Sequence, residues 1–202
     1  MEPGIGAGDE EHSALATLLG DVRACRRCSE FLPLGPRPLL QVSSDARVLV
    51  CSQAPGSKAH ASGICFDDAS GNRLREWMGI TPGQFYDAQR VAILPMGLCY
   101  PGKAKAGDAP PRPECAPLWR QRLLQSMPGI SLTLLVGGYA QAHVLGPGRV
   151  SDRVRNFASQ PGYLSLPHPS WRSTGWMRRN PWFSQEVLPH LRNSVRQALQ
   201  IN

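Results

Sequence analysis

Four short apolar runs, Arg47–Val50, Val91–Leu94, Ser131–Val136 and Tyr163–Leu166, alternate with stretches of helical character, and this order constrains the chain more than any other feature. The runs are rich in Val, Leu and Ile and bounded by Gly, Pro and polar residues, the pattern of strands buried on both faces. Between them lie segments that predict helices over 70–78, 117–127, 139–145 and 152–157, with a further one from 180 to 199. Asn180-Pro181 reads as the cap and first turn of that last helix, and Pro189 as a kink within it. An amino-terminal helix is predicted over 12–22, with Leu15, Leu18, Leu19 and Val22 on one face. Strands alternating with helices give a single α/β domain: a central, mainly parallel four-stranded sheet flanked by helices in three layers.

Ligands of open α/β sheets sit at the carboxyl ends of the strands. The first run ends in Ser52-Gln53-Ala54-Pro55-Gly56, an irregular turn, and the segment Gly63-Ile-Cys-Phe66-Asp-Asp68 follows directly. Gln53 offers a polar amide and Phe66 an aromatic face, so a planar ligand could hydrogen-bond to one and stack on the other.

No apolar run approaches the length needed to span a membrane, although 42% of residues are hydrophobic. Residues 1–12 are glycine-rich and acidic, unlike a signal or transit peptide, and are expected to form a flexible tail ahead of a domain over 13–202. A cytoplasmic, monomeric protein is expected. The net charge of +7, from 22 Lys and Arg against 15 Asp and Glu, points to a polyanion such as nucleic acid or simply to solubility.

Six cysteines without a secretory signal argue against a disulfide scaffold. Cys25-Arg-Arg-Cys28 follows a helix instead of the strand that a redox motif needs. Cys99 and Cys115 bracket a loop rich in Pro, Gly and Lys that has little apolar content to hold itself down. A metal centre joining these four cysteines would fix the loop; four thiolates suit zinc and an iron–sulfur cluster equally on ligand count. Cys51 and Cys65 read as small apolar side chains.

Three of these features together resemble the uracil-DNA glycosylase superfamily, closest to its iron–sulfur branch (families 4 and 5), over roughly Cys25 to Leu199. Ser52-Gln-Ala-Pro-Gly56 with Gly63-x-x-Phe66 is similar to that branch's Gly-Glu-Ala-Pro-Gly and Gly-x-Pro-Phe. The cysteine spacing matches its cluster ligands, and His168-Pro-Ser170 is like the second catalytic motif of the superfamily. The resemblance implies base-excision repair in DNA: a base is flipped out of the duplex and its bond to deoxyribose hydrolysed. It implies a 4Fe–4S cluster on Cys25, Cys28, Cys99 and Cys115, and an association with the nucleoid during repair. His168 would stabilise charge on the leaving base or contact the sugar, Phe66 would stack under the base, and amides around Ala54 and Gly56 would hold its carbonyl.

The sequence departs from the family pattern at three places. Gln53 stands where the family has the acid that positions water, Ser52 replaces the leading glycine, and Pro95 replaces an asparagine that reads the uracil edge. A glutamine can orient water but cannot take its proton. Asp67 or Asp68 either substitutes for the acid or caps the helix that follows. Ser170, Trp171 and Arg172 extend toward the family's DNA wedge, with Trp171 suited to fill the gap left by a flipped base. Lys103, Lys105, Arg112, Arg178 and Arg179 could meet phosphates, with Trp176 interleaved, while Trp182 belongs to the core. The departures leave two functions open: a glycosylase for uracil or another damaged base, and a base-binding protein on the same scaffold.

Overall fold

The structure, a computed structural model, describes residues 7–105, 107–159 and 161–200. Its centre is a four-stranded parallel sheet built from β1 (Val48–Cys51), β2 (Val91–Ile93), β5 (Leu132–Val136) and β6 (Tyr163–Leu166), in the order β2-β1-β5-β6. In register, Val50 of β1 faces Ile93 of β2 and Leu134 of β5, and Leu135 of β5 faces Ser165 of β6. The side-chain period of 2 divides each strand between two cores. Val48, Val50 and Leu134 pack on one face with Leu74, Trp77, Phe183, Leu191 and Val195. Leu49, Cys51 and Leu135 pack on the other with Leu18, Val22, Trp119, Leu123 and Ala140. Helices therefore cover both faces, as continuous apolar strands require.

The helices are α1 (Ala7–Ala24), α2 (Ser57–Ser62), α3 (Ala69–Met78), α4 (Pro82–Phe85), α5 (Cys115–Gln125), α6 (Gly138–Leu145), α7 (Val150–Arg155), α8 (Ser173–Arg179) and α9 (Leu188–Leu199). Several differ from the sequence prediction. Helix α1 runs from Ala7, ahead of the predicted start at residue 12; residues 1–6 lie outside the described residues. Helix α5 begins at Cys115, two residues ahead of Pro117, and the proline sits in the first turn, where no N–H is needed. Pro189 opens α9 and does not kink it. The turn ahead widens into a π-helical segment, Phe183–Val187, since Pro189 has no N–H to return to Gln185. Helix α4 is closed by a capping box in which Thr81 and Gln84 exchange bonds.

The cysteine-bracketed loop is not featureless. It folds back as a two-stranded antiparallel ribbon, β3 (Lys103–Ala104) and β4 (Gly107–Asp108). Ala109 N donates to Gly102 O at 2.8 Å beside it.

Candidate active site

The chain enters the sheet at β1, adds β2 on one side, then returns to place β5 on the other. Loops leaving β1 and β5 therefore part in opposite directions, and a crevice opens between them at the carboxyl edge. There lies a cavity of about 330 Å³, walled by Gln53 to Gly56, Phe66, Asp68, Pro95, Asp108 and His168. Its size falls in the range of small-molecule sites. Gln53 and His168, which stand 115 positions apart in sequence, line the same slot.

Phe66 forms one wall in a backbone conformation that L residues rarely adopt, with φ of 56°. It is held there from behind. Tyr86 Oη donates to the Phe66 carbonyl at 3.2 Å, and the buried Arg75 reaches the same oxygen at 3.5 Å and Tyr86 Oη at 3.0 Å. Its ring meets Phe85 edge-on at 6.1 Å. Gly71 of α3 presses against this backbone: a β-carbon there would lie 1.8 Å from the Phe66 carbonyl oxygen. Only glycine fits that contact.

His168 follows β6 by two residues and rests on Gly137, whose φ of 84° turns the chain out of β5. A β-carbon on Gly137 would stand 3.5 Å from His168 Cβ. The buried Gln141 of α6 ties the two strand ends together, its Nε2 donating to Leu166 O at 2.9 Å and to Leu135 O at 3.2 Å. His168 is solvent-exposed where it faces the cavity, while the rest of its ring lies against protein. That enclosure lowers its pKa below the usual 6.5, against the opposing pull of Asp68 and Asp108. It is held toward the neutral form, which can both donate and accept.

Asp68 caps the helix that follows it and also borders the cavity. Its Oδ1 accepts from Gly71 N at 2.8 Å, capping α3, while its Oδ2 faces Gly56 across the cavity. Gln53 Nε2 is committed to Ala109 O at 2.8 Å. A third polar group, Asp108, enters the cavity from β4 and pairs with Lys103 at 2.9 Å. The sequence reading missed it, because two-residue strands leave no alternation to read. Ala54 and Gly56 line the cavity as expected, and Pro95 forms buried wall.

At the mouth stand Ser170, Trp171 and Arg172. The Ser170 carbonyl is held by Arg73 and by Ser173 Oγ, which donates at 2.7 Å. Trp171 is 76% exposed, an unusual position for the largest side chain, with Arg172 stacked 5.5 Å from its ring. Arg178 and Arg179 are exposed, but Trp176 is not part of that face: it packs against the core and Trp182, with Nε1 donating to Ser151 Oγ at 2.9 Å. A tryptophan with its N–H satisfied indoors is a packing residue. Trp182 packs against the same core, as expected.

Residues 40–192 match the family model of the uracil DNA glycosylase superfamily. The chain belongs to that superfamily. The match covers the whole sheet and every wall of the cavity, so this glycosylase-like domain carries its site where the α/β architecture places one. It is a match to the superfamily as a whole and begins after Cys25 and Cys28. No helix among the described residues is long and apolar enough to cross a membrane.

The glycosylase-like domain also gathers Cys25, Cys28, Cys99 and Cys115 around a second hollow, together with Leu32, Arg112 and Trp119. Leu98 N donates to Cys115 Sγ at 3.3 Å. Burial pushes the thiols of Cys99 and Cys115 up to about 11, and the neighbouring cysteines push the same way. As placed, no three His, Cys, Asp or Glu side chains among the described residues form a group that could hold a metal ion. Cys51 and Cys65 are buried as expected, though Cys51 Sγ also accepts from the buried Arg120 at 2.9 Å, and Cys65 borders the active-site cavity.

Proposed function

We propose that this protein hydrolyses the N-glycosidic bond of a flipped uracil, or of another deaminated or damaged base, in DNA. One observation carries the reading: a stacking wall, a neutral-leaning imidazole and carboxylates line one cavity of base-accepting size. Phe66 stacks on the extruded base, backbone around Ala54 and Gly56 meets its carbonyl edge, and His168 stabilises the charge that builds on the leaving base as the sugar becomes oxocarbenium-like. Trp171, exposed at the rim of the cavity, would fill the emptied stack, and Arg172 beside it would meet the backbone. The protein acts as a monomer in the cytoplasm.

Cys25, Cys28, Cys99 and Cys115 would hold a 4Fe–4S cluster. The donor types suit such a cluster, although as placed the side chains do not form a metal-holding group: four thiols border one hollow, and an amide N–H points at a sulfur, the kind of bond that tunes such groups. The cluster would tether the amino-terminal Cys-x-x-Cys to the loop that carries β3 and β4. Protein purified without oxygen should be brown with visible absorbance; a colourless, zinc-loaded protein refutes the assignment.

The commitment of Gln53 to a backbone carbonyl favours a second reading, a base-binding protein without turnover. One experiment separates them. Purified protein is incubated with single and double strands containing uracil, hypoxanthine or xanthine, and alkali-labile sites are measured. Base release supports the glycosylase; binding without release from any substrate supports the alternative.

A further inference from the structure

The motif position that would carry a water-positioning acid holds Gln53, and its amide does a different task. By donating to Ala109 O at 2.8 Å, it moors the end of β4 to the end of β1. The residue immediately before that anchor is Asp108. Its Oδ1 accepts from Lys103 Nζ at 2.9 Å, which fixes the carboxylate in rotation. Its Oδ2 lies 3.5 Å from the point a β-carbon on Gly56 would occupy, inside the cavity. Arg172 closes over the same ribbon, its Nη1 3.4 Å from the corresponding point on Gly107.

Asp68 is the competing carboxylate, with Oδ2 3.8 Å from the same Gly56 point. One of its oxygens caps Gly71 N–H, so α3 sets its position. Asp108 is set instead by Gln53 through the Ala109 anchor, and its Oδ2 stands closer to that Gly56 point.

We propose that Asp108 is the carboxylate that orients and deprotonates the attacking water, and that Gln53 is the positioning residue that holds it in place. The acid missing from the end of the first strand is thus supplied by the cysteine-bracketed loop. This rests on the glycosylase reading above. In the step, the C1′–N bond breaks and its electron pair leaves with the base. Water oxygen bonds to C1′, and the water proton passes to Asp108 Oδ2. His168 donates a hydrogen bond to the base anion, which takes its proton from solvent.

The test is single-turnover base release by wild type, Asp108→Asn, Gln53→Ala and the double variant, on whichever substrate wild type cleaves fastest. Affinity for the same DNA and melting temperature are measured alongside. Asp108→Asn should lower the rate about 10²–10⁴-fold, the usual contribution of a positioned base, with affinity within about threefold and melting unchanged. Gln53→Ala should lower the rate at least about tenfold alone and add nothing in the Asp108→Asn background, since groups that act as one unit are not additive. A purely structural Gln53 would cost the same in both backgrounds. Asp108→Asn at the wild-type rate overturns the inference while leaving the glycosylase reading intact. Wild type that releases no base overturns that reading, and the inference with it.

Discussion

Gly71→Ala is the sharpest test of how the stacking wall is held. The new β-carbon would lie 1.8 Å from the Phe66 carbonyl oxygen, 2.7 Å from its carbonyl carbon and 2.8 Å from its Cβ. Real β-carbons essentially never come within 3.0 Å of another atom, so the carbonyl must retreat by 3.0 − 1.8, at least about 1.2 Å. A misplacement of about 1 Å costs on the order of 10²-fold in rate at a site that depends on geometry. Stability changes less. Alanine gains roughly 0.5–1 kcal/mol over glycine in a helix, overpacking costs about 1–3 kcal/mol, and the bonds from Tyr86 and Arg75 to Phe66 O are strained. The net expectation is a fall of about 1–3 kcal/mol, with base release down by about two orders of magnitude at saturating DNA. Gly20→Ala is the control: a β-carbon there meets nothing within 4 Å, so activity should not change. Wild-type release by Gly71→Ala would refute the claim that this contact sets the wall.

Three further outcomes are expected. Gln141→Leu removes the amide's bonds to Leu135 O and Leu166 O, the latter keeping its bond from Gly137 N, and should cost about 0.5–1.5 kcal/mol in denaturant unfolding; base release should fall with it, because His168 follows Leu166 by two residues. The folded His168 has a lowered pKa, so the unfolded chain takes up the proton first as pH drops below about 6.5; stability should fall with pH there and be unaffected above it. His168→Gln should flatten that slope in pH-dependent melting, leaving the share due to His143, whose pKa is lowered mainly by partial burial; an unchanged slope contradicts the assignment. Trp171→Ala should weaken binding by about 1–3 kcal/mol if the ring stacks on bases, with unchanged melting, since the ring is 76% exposed; fluorescence anisotropy with duplex DNA reads it.

The sheet was legible because strands covered on both faces must be apolar throughout, and Val48–Cys51 and Leu132–Val136 leave no other reading. The slot was legible too, since Gln53 and His168 both sit just past strand ends, where a parallel sheet opens. What stayed hidden depends on contacts distant in sequence. Gly71 looks like an indifferent helix residue until the Phe66 backbone lies against it. Asp108 looks like one polar residue in a proline-rich loop until Gln53 clasps its neighbour. Trp176 lies close to Arg178 and Arg179 in sequence, but its ring is turned to the core by packing against Trp182 and by the bond from its Nε1 to Ser151 Oγ, neither of which the local sequence shows. The capping box of α4, Thr81-Pro-Gly-Gln84, was readable from its residues alone.

Pro95 has a consequence of its own. The sequence resemblance implies an asparagine at that position, reading the edge of uracil, and this chain has none there. A buried proline presents neither donor nor acceptor from its ring, so that side of the slot judges a guest by outline alone. Under the proposed function, much of the choosing then happens before entry. Mispaired bases leave the helical stack at the least expense, so the protein would be tuned to the weakness of a base pair more than to the name of the base.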